Sequence, residues 1–354
     1  MYLTPTPTIK PTASGLIAGG NFIVDTVILI DRFPQQDMLA NIIDETPTNG
    51  GGPYNVLRDL SAMQVPFPLS AVGLVGEDDK GQWVAENCQA HQIGTDQLRT
   101  TSKGPTSHTH VMTAADSGRR TFFHHRGANS LLAPHHFNFK DTSAKLFYLG
   151  YLMLLDSLDD LDDSGRTGAS RVLETAKGAG LVTIADLVSV EHSEFRARVT
   201  ASLPWIDHLI LNEVEASRLV GRELKGEDHR DLENAAQEIL AMGIGVAVVL
   251  HSSSGGIVAS HSDGLHTQAA LVMPPEKIRG SNGAGDAFAA GYIFGLHEDW
   301  SIDRRLQLAV SAAAISLTDP SPSAGLLPCA EIFEATRHLN RTIWVQSEPQ
   351  TTTT

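Results

Sequence analysis

The chain has 354 residues, 42% of them hydrophobic, which suits one large α/β domain or two modest ones with a sizeable core. A net charge of −15 and a pI near 5.4 argue against nucleic acid and anionic membranes as partners, and no apolar run is long enough to span a bilayer. Two well-separated cysteines, Cys88 and Cys329, give no disulfide framework and suit a reducing cytoplasm.

Residues 1–13 are rich in Thr and Pro and are expected to be disordered. They lack a basic start followed by an apolar run, so they do not read as a signal peptide. Leu16 to Ala18, followed by Gly19-Gly20, suits a first buried strand. Phe22 to Ile30 is a second apolar run, interrupted by Asp25. A carboxylate there is costly to bury without a partner, so Asp25 is either a solvated strand-end residue or a ligand-binding one. Asn49 to Asn55 reads N-G-G-G-P-Y-N, and a turn alone explains Gly50 to Pro53. The next stretch is helical, with Val56, Leu57, Leu60 and Met63 on one side. Leu69 to Val75 is a strand leading into the turn G-L-V-G-E-D-D-K-G and a helix carrying Trp83 and Val84.

Residues 106–126 alternate around A-D-S-G, a hairpin signal. His108 and His110 share one face of the first strand, and His124 and His125 are adjacent. No Cys or carboxylate is placed to complete a zinc site with them, so they read as exposed or substrate-facing histidines. From Ala144 onward strands and helices alternate: strands at Lys145 to Gly150, Leu181 to Ile184 with Asp186 at its end, Ile206 to Leu211 and Val246 to Leu250. The helices fall at Ala169 to Ala179, Glu213 to Val220 and Asp231 to Met242. This pattern implies a parallel sheet with helices on both faces and ligands beyond the C-terminal strand ends. Two segments follow strands directly there: N-E-V-E, Asn212 to Glu215, which is also an ordinary helix start, and H-S-S-S-G-G, His251 to Gly256.

Arg279 to Leu296 carries most of the chemistry. Gly280 to Gly285 has almost no side-chain bulk, and from Ala287 the residues suit a buried helix. The first N–H groups of a helix have no internal partner and its dipole favours an anion. Asp286, at this junction, is either an N-cap or the carboxylate that takes the proton from a hydroxyl attacking a phosphoryl group. Ser301 to Leu317 reads as a helix, and residues 346–354 as a second disordered tail.

S-N-G-A-G-D-A-F resembles the C-terminal signature of the PfkB-type carbohydrate kinases, the ribokinase-like family, and the resemblance extends over about residues 15–330. It implies one domain over residues 14–345: a three-layer α/β/α sandwich around a mostly parallel sheet, with a small β-sheet lid from about 24–50 and 106–127. It implies ATP and Mg2+ as cofactors and a sugar hydroxyl as phosphoryl acceptor. Gly283, Ala284 and Gly285 would form the anion hole, with Asp286 as base. G-G-x-x-x-N, here Gly50, Gly51 and Asn55, resembles the sugar-binding motif, joined by Asp25 and by Asn129 of R-G-A-N. Gly76 and Asp78 belong to a further shared segment, read as mainly structural. Asn212 and Glu215 match N-x-x-E, associated with magnesium and phosphate. Gly256 fits the last glycine of the nucleotide segment, while Ser253 stands where a glycine is usual; Asn282, Gly283 and Gly285 would also contact nucleotide. Gly280 occupies the place of an Asp that in some members helps hold a monovalent cation, which puts potassium activation in doubt. The helix at 301–317 would flank the adenine. S-N-G-A-G-D is also similar to the adenosine-kinase version, so a nucleoside kinase is the near alternative and a non-catalytic sensor the distant one. A homodimer through the lid edges is a further expectation.

Overall fold

A computed structural model describes residues 13–344. The two expected disordered tails lie outside the described residues, residue 13 excepted. The chain opens with β1 (Leu16–Gly20), then β2 (Ile23–Ile30) and β3 (Ile42–Gly50), and enters α1 (Gly52–Ala62). β4 (Leu69–Gly76), α2 (Asp79–Ala90) and β5 (Ile93–Thr101) follow, then β6 (His108–Ala114) and β7 (Arg120–His125). Next come β8 (Leu146–Leu152), α3 (Asp156–Asp159), α4 (Gly168–Gly178), β9 (Val182–Leu187), α5 (Phe195–Thr200) and β10 (His208–Asn212). α6 (Glu213–Val220), α7 (His229–Leu240), β11 (Ala247–Ser252), β12 (Gly255–Ser260) and β13 (Gly264–Ala269) lead to α8 (Ala284–His297), α9 (Ile302–Ser316) and α10 (Cys329–Thr336).

Nine strands form one sheet in the order β13-β12-β11-β10-β9-β8-β1-β4-β5. It is parallel from β5 to β11, and β12 and β13 are added antiparallel at one edge. Side chains alternate across each strand, so the sheet divides two cores. Leu146 and Tyr148 of β8 point to the core shared with α1, α8 and α9, while Phe147 and Leu149 point to the one under α4, α6 and α7. This is the expected three-layer arrangement. β2, β3, β6 and β7 form a separate small sheet, order β3-β2-β6-β7, the lid of the fold. The A-D-S-G turn joins β6 and β7 as an antiparallel hairpin, as its turn chemistry predicts.

α8 is buried on all sides from Asp286 to His297, which explains its lack of an amphipathic pattern. It packs between α1 and α9, and a Cβ on Gly291 would lie 2.8 Å from the Ala309 Cα, so glycine sets how closely α8 and α9 approach. Burying Phe288, Tyr292 and Ile293 contributes about 1.5–3 kcal/mol each.

α1 carries a buried acid, Asp59, at 0% exposure. Neither carboxyl oxygen has a hydrogen-bond partner. Burial pushes its pKa well above the carboxylate range and Asp286 adds to the rise, while the nearby Ser323 hydroxyl opposes it without reaching hydrogen-bond geometry. Because the folded pKa lies above the unfolded one, the ionisation penalty is absent below about pH 4 and complete above the folded value. The stability of Asp59→Asn relative to the unaltered protein should therefore rise as pH goes from about 4 to about 8. Urea denaturation at the two pH values checks this.

Candidate active site

The anion-binding end of α8 is built as its residues suggest. Gly283 is the N-cap, at φ +77°, and no side chain caps the helix, so its first-turn amides are left for a ligand. A Cβ on Gly283 would lie 2.7 Å from the Pro322 backbone. Asp286 is the third residue of the helix, not its cap, and is 5% exposed. Its Oδ1 accepts from the Tyr151 hydroxyl at 2.5 Å and its Oδ2 from Asn55 Nδ2 at 2.8 Å. Burial raises its pKa to about 6, against the lowering effect of those two donors.

Asn55 is itself oriented. Its Oδ1 accepts from Asn49 Nδ2 at 2.7 Å, and the same Asn49 nitrogen reaches Ser323 Oγ at 2.9 Å. Asn49 ends a lid strand, so a chain of amides joins the lid to the carboxyl on α8. This geometry gives the Asn55 amide a positioning role on Asp286.

Asp286 lines a cavity of about 550 Å³ with Asp25, Gly51, Asn55, Asn212, Glu215, Asn282, Gly283, Ala284 and Gly285. Residues from across the chain thus meet in one place. Asp25 sits on the inner lid face, where burial raises its pKa to about 7, the Thr109 hydroxyl opposes this and Asp286 adds to it. Gly50 lies just behind: a Cβ there would come within 2.4 Å of the Asp25 carboxyl. Gly51, at φ +89°, caps α1 and lies against Asn21.

Asn212 and Glu215 form a capping box on α6. The Asn212 side chain accepts from the Val214 and Glu215 amides, and Glu215 accepts from the Asn212 backbone at 2.9 Å. Glu215 also takes hydrogen bonds from Ser189 and Asn212 Nδ2, and burial raises its pKa. The helix-start reading of N-E-V-E is therefore correct, and both residues still border the cavity.

Three expected site residues lie elsewhere. Asn129 is spent on the Phe22 backbone, accepting from its N–H at 3.4 Å and donating to its carbonyl at 3.2 Å, so it fixes the start of β2 and is not among the residues lining this cavity. Ser253 sits exposed at the turn between β11 and β12. Gly256 is buried under Phe288, whose ring would be 2.7 Å from an added Cβ, so it makes room for α8. Asp78 caps α2 through the Gly81 amide and accepts from Thr106, the structural role expected of it. On the outer lid face His108 stacks on His125 at 5.0 Å. Among the described residues no group of three His, Cys, Asp or Glu is placed to hold a metal. His124 points the other way, into the cavity, and burial lowers its pKa to about 4.

Among the cavity residues, sequence reasoning gave no site role to Asp186, Tyr151 or Thr109, and named His251 only as the first residue of the His251 to Gly256 segment. Asp186, at the end of β9, accepts from Tyr148 at 3.1 Å, and burial beside Glu215 and Asp286 raises its pKa well above the usual range. An acid closing an apolar strand at the sheet's C-terminal edge was its available signal. Tyr151 and His251 also end strands; burial holds His251 neutral, lowering its pKa to about 4. Thr109 is visible only through its pairing opposite Asp25.

Uncapped helix amides beside a buried carboxyl are groups suited to phosphoryl-transfer chemistry. Consistent with this, the chain belongs to the pfkB family of carbohydrate kinases, whose match covers residues 20–328. It is 25% identical over 317 residues to a ribokinase of Arabidopsis thaliana, spanning 88% of this chain and 78% of that protein. It is 30% identical over 183 residues to an adenosine kinase of Saccharomyces cerevisiae, 51% of this chain and 52% of the relative. The fold matches the Arabidopsis thaliana ribokinase solved with ribose and ATP at a TM-score of 0.73 and 21% identity, covering 92% of this chain and 99% of that one.

Gly283→Ala should destabilise the protein by about 2 kcal/mol or more, through the left-handed φ and the clash with Pro322. A urea melt measures it.

Proposed function

We propose that this kinase transfers the γ-phosphoryl of ATP to a hydroxyl of a sugar, with Asp286 as general base and the Gly283–Gly285 amides as anion hole. The observation that carries this reading is the pairing of an uncapped helix start with a buried carboxyl three residues into that helix. The acceptor hydroxyl gives its proton to Asp286, its oxygen bonds to the γ-phosphorus, and the bond to the β-phosphate oxygen breaks with its electron pair leaving on ADP.

Asp25, with Gly50 and Gly51 behind it, holds the sugar hydroxyls. Asp25, Asp186, Glu215 and Asp286 line the cavity without a Lys or Arg among the lining residues. Of these, Glu215 beside Asn212 is the one that would hold Mg2+, through water and a single carboxylate. When bound, the metal supplies the positive charge that offsets the nucleotide phosphates. The lid sheet excludes water, which otherwise competes as acceptor. The lid edges β3 and β7 have no partner strand among the described residues, and β3 exposes Ile42 and Ile43, which supports pairing with a second copy.

A nucleoside acceptor is supported by a second chamber of about 700 Å³ along the same lid face. Val27, Leu29 and Val111 give it apolar walls, and Ser281 and Asn282 border both spaces. A substituent larger than a hydroxyl on the sugar would find room there.

ADP release across a panel of free sugars, sugar acids and nucleosides, with and without potassium, decides the acceptor. No release with any of them would overturn the kinase reading. Asp286→Asn should lower kcat by about 10²- to 10⁴-fold while nucleotide binding, followed by calorimetry, persists. For the unaltered enzyme kcat/KM should fall as pH drops through about 6, because only the ionised Asp286 accepts the proton.

A further inference from the structure

We propose that Tyr151 is a positioning residue that holds Asp286 in its ionised, proton-accepting form at neutral pH, and that Gly52 is present to admit the phenol. This rests on the reading of Asp286 as base.

The surroundings of Asp286 are acidic on nearly every side. Asp25 faces it from β2, Asp59 from α1 and Asp186 from β9. The uncharged groups near it are Tyr148 and Tyr151 of β8 and the neutral His251 of β11. No Lys or Arg lines the cavity. A carboxylate in such a place is stabilised only by donors, and Asp286 has two from side chains: the Asn55 amide and the Tyr151 hydroxyl. The phenol is the shorter contact, at 2.5 Å against 2.8 Å. Hydrogen bonds to an ionised acceptor are the strong ones. Burial keeps the Tyr151 phenol protonated at any working pH, so it remains a donor.

Tyr151 is itself anchored, its backbone N–H donating to Asn21 Oδ1 at 2.6 Å. Gly52 explains the third glycine of G-G-G-P-Y-N, which the sugar-binding motif does not use. A Cβ at Gly52 would lie 2.8 Å from the Tyr151 ring and 2.9 Å from the Tyr148 hydroxyl. Gly52 is the first residue of α1 and its φ lies outside the left-handed region, so backbone strain adds nothing to the close approach of the two phenols.

In the transfer step the acceptor O–H proton passes to Asp286 as the oxygen bonds to phosphorus. Tyr151 gives up no proton; it lowers the pKa of the carboxylate that receives one. Removing its hydroxyl should leave the base protonated over a wider pH range.

The test is the pH dependence of kcat/KM for Tyr151→Phe and for Gly52→Ala, with the acceptor found active for the unaltered enzyme. Both variants should move the acidic limb upward by about one pH unit, the worth of one strong hydrogen bond to a charged group. Above pH 8.5 both should recover to within about threefold of the unaltered rate, since ionisation no longer limits them there. Thermal melting with and without ATP confirms that each variant folds and binds nucleotide. An acidic limb that stays in place in Tyr151→Phe, or a rate deficit that high pH fails to repair, overturns the proposal while leaving the kinase reading intact. Failure of the unaltered enzyme to release ADP with any acceptor removes both.

Discussion

The site depends on one constraint: a carboxyl group is kept buried, and usable, without any cation to pair with it. Asp286 is enclosed by α8, α1 and β8, and its charge is held by an amide and a phenol. Burial raises its pKa to about 6 against the pull of these two neutral donors, a value that suits the general-base role proposed for it. An ion pair at the same place would have produced a stable but inert carboxylate.

The rest of the architecture follows from supplying those donors from distant parts of the chain. Asn55 comes from the first helix and is turned by Asn49, the last polar residue of a lid strand. Tyr151 comes from the end of a central strand. The three glycines between Asn49 and Pro53 serve three different neighbours: Asp25, Asn21 and the two tyrosines. A motif that looks like a simple turn is therefore a close-packed junction of lid, sheet and site.

The acidic lining also gives the protein's overall charge a local meaning. A chain with net charge −15 must still receive a polyanionic nucleotide. On the proposed reading it does so with uncapped amides and a divalent cation at Glu215, and no Lys or Arg lines the cavity among the described residues. The basic residue nearest in role is Arg120, which reaches Ser281 in the loop before the anion hole and stands in the adjoining chamber.

Much of this was legible in the order of residues. The β/α alternation, the hairpin at A-D-S-G, the bare glycines before a buried helix and the acid inside β2 each report a local property: periodicity, backbone freedom or the cost of burying charge. Those properties are set by neighbours in sequence, so the chain alone determined the α/β class, while the meeting of Asp25, Asn55 and Asp286 was expected only through the resemblance of their motifs to the family's. The surroundings of Asn129 and Gly256 were decided only in three dimensions, because each depends on a partner far along the chain: the Phe22 backbone for Asn129, the Phe288 ring for Gly256. Tyr151 was unreadable for the same reason, whereas Asp186 showed its place at a strand end but not its neighbours. A tyrosine near a strand end has no local signature, and its chemistry is fixed by which carboxyl the folded sheet places beside it.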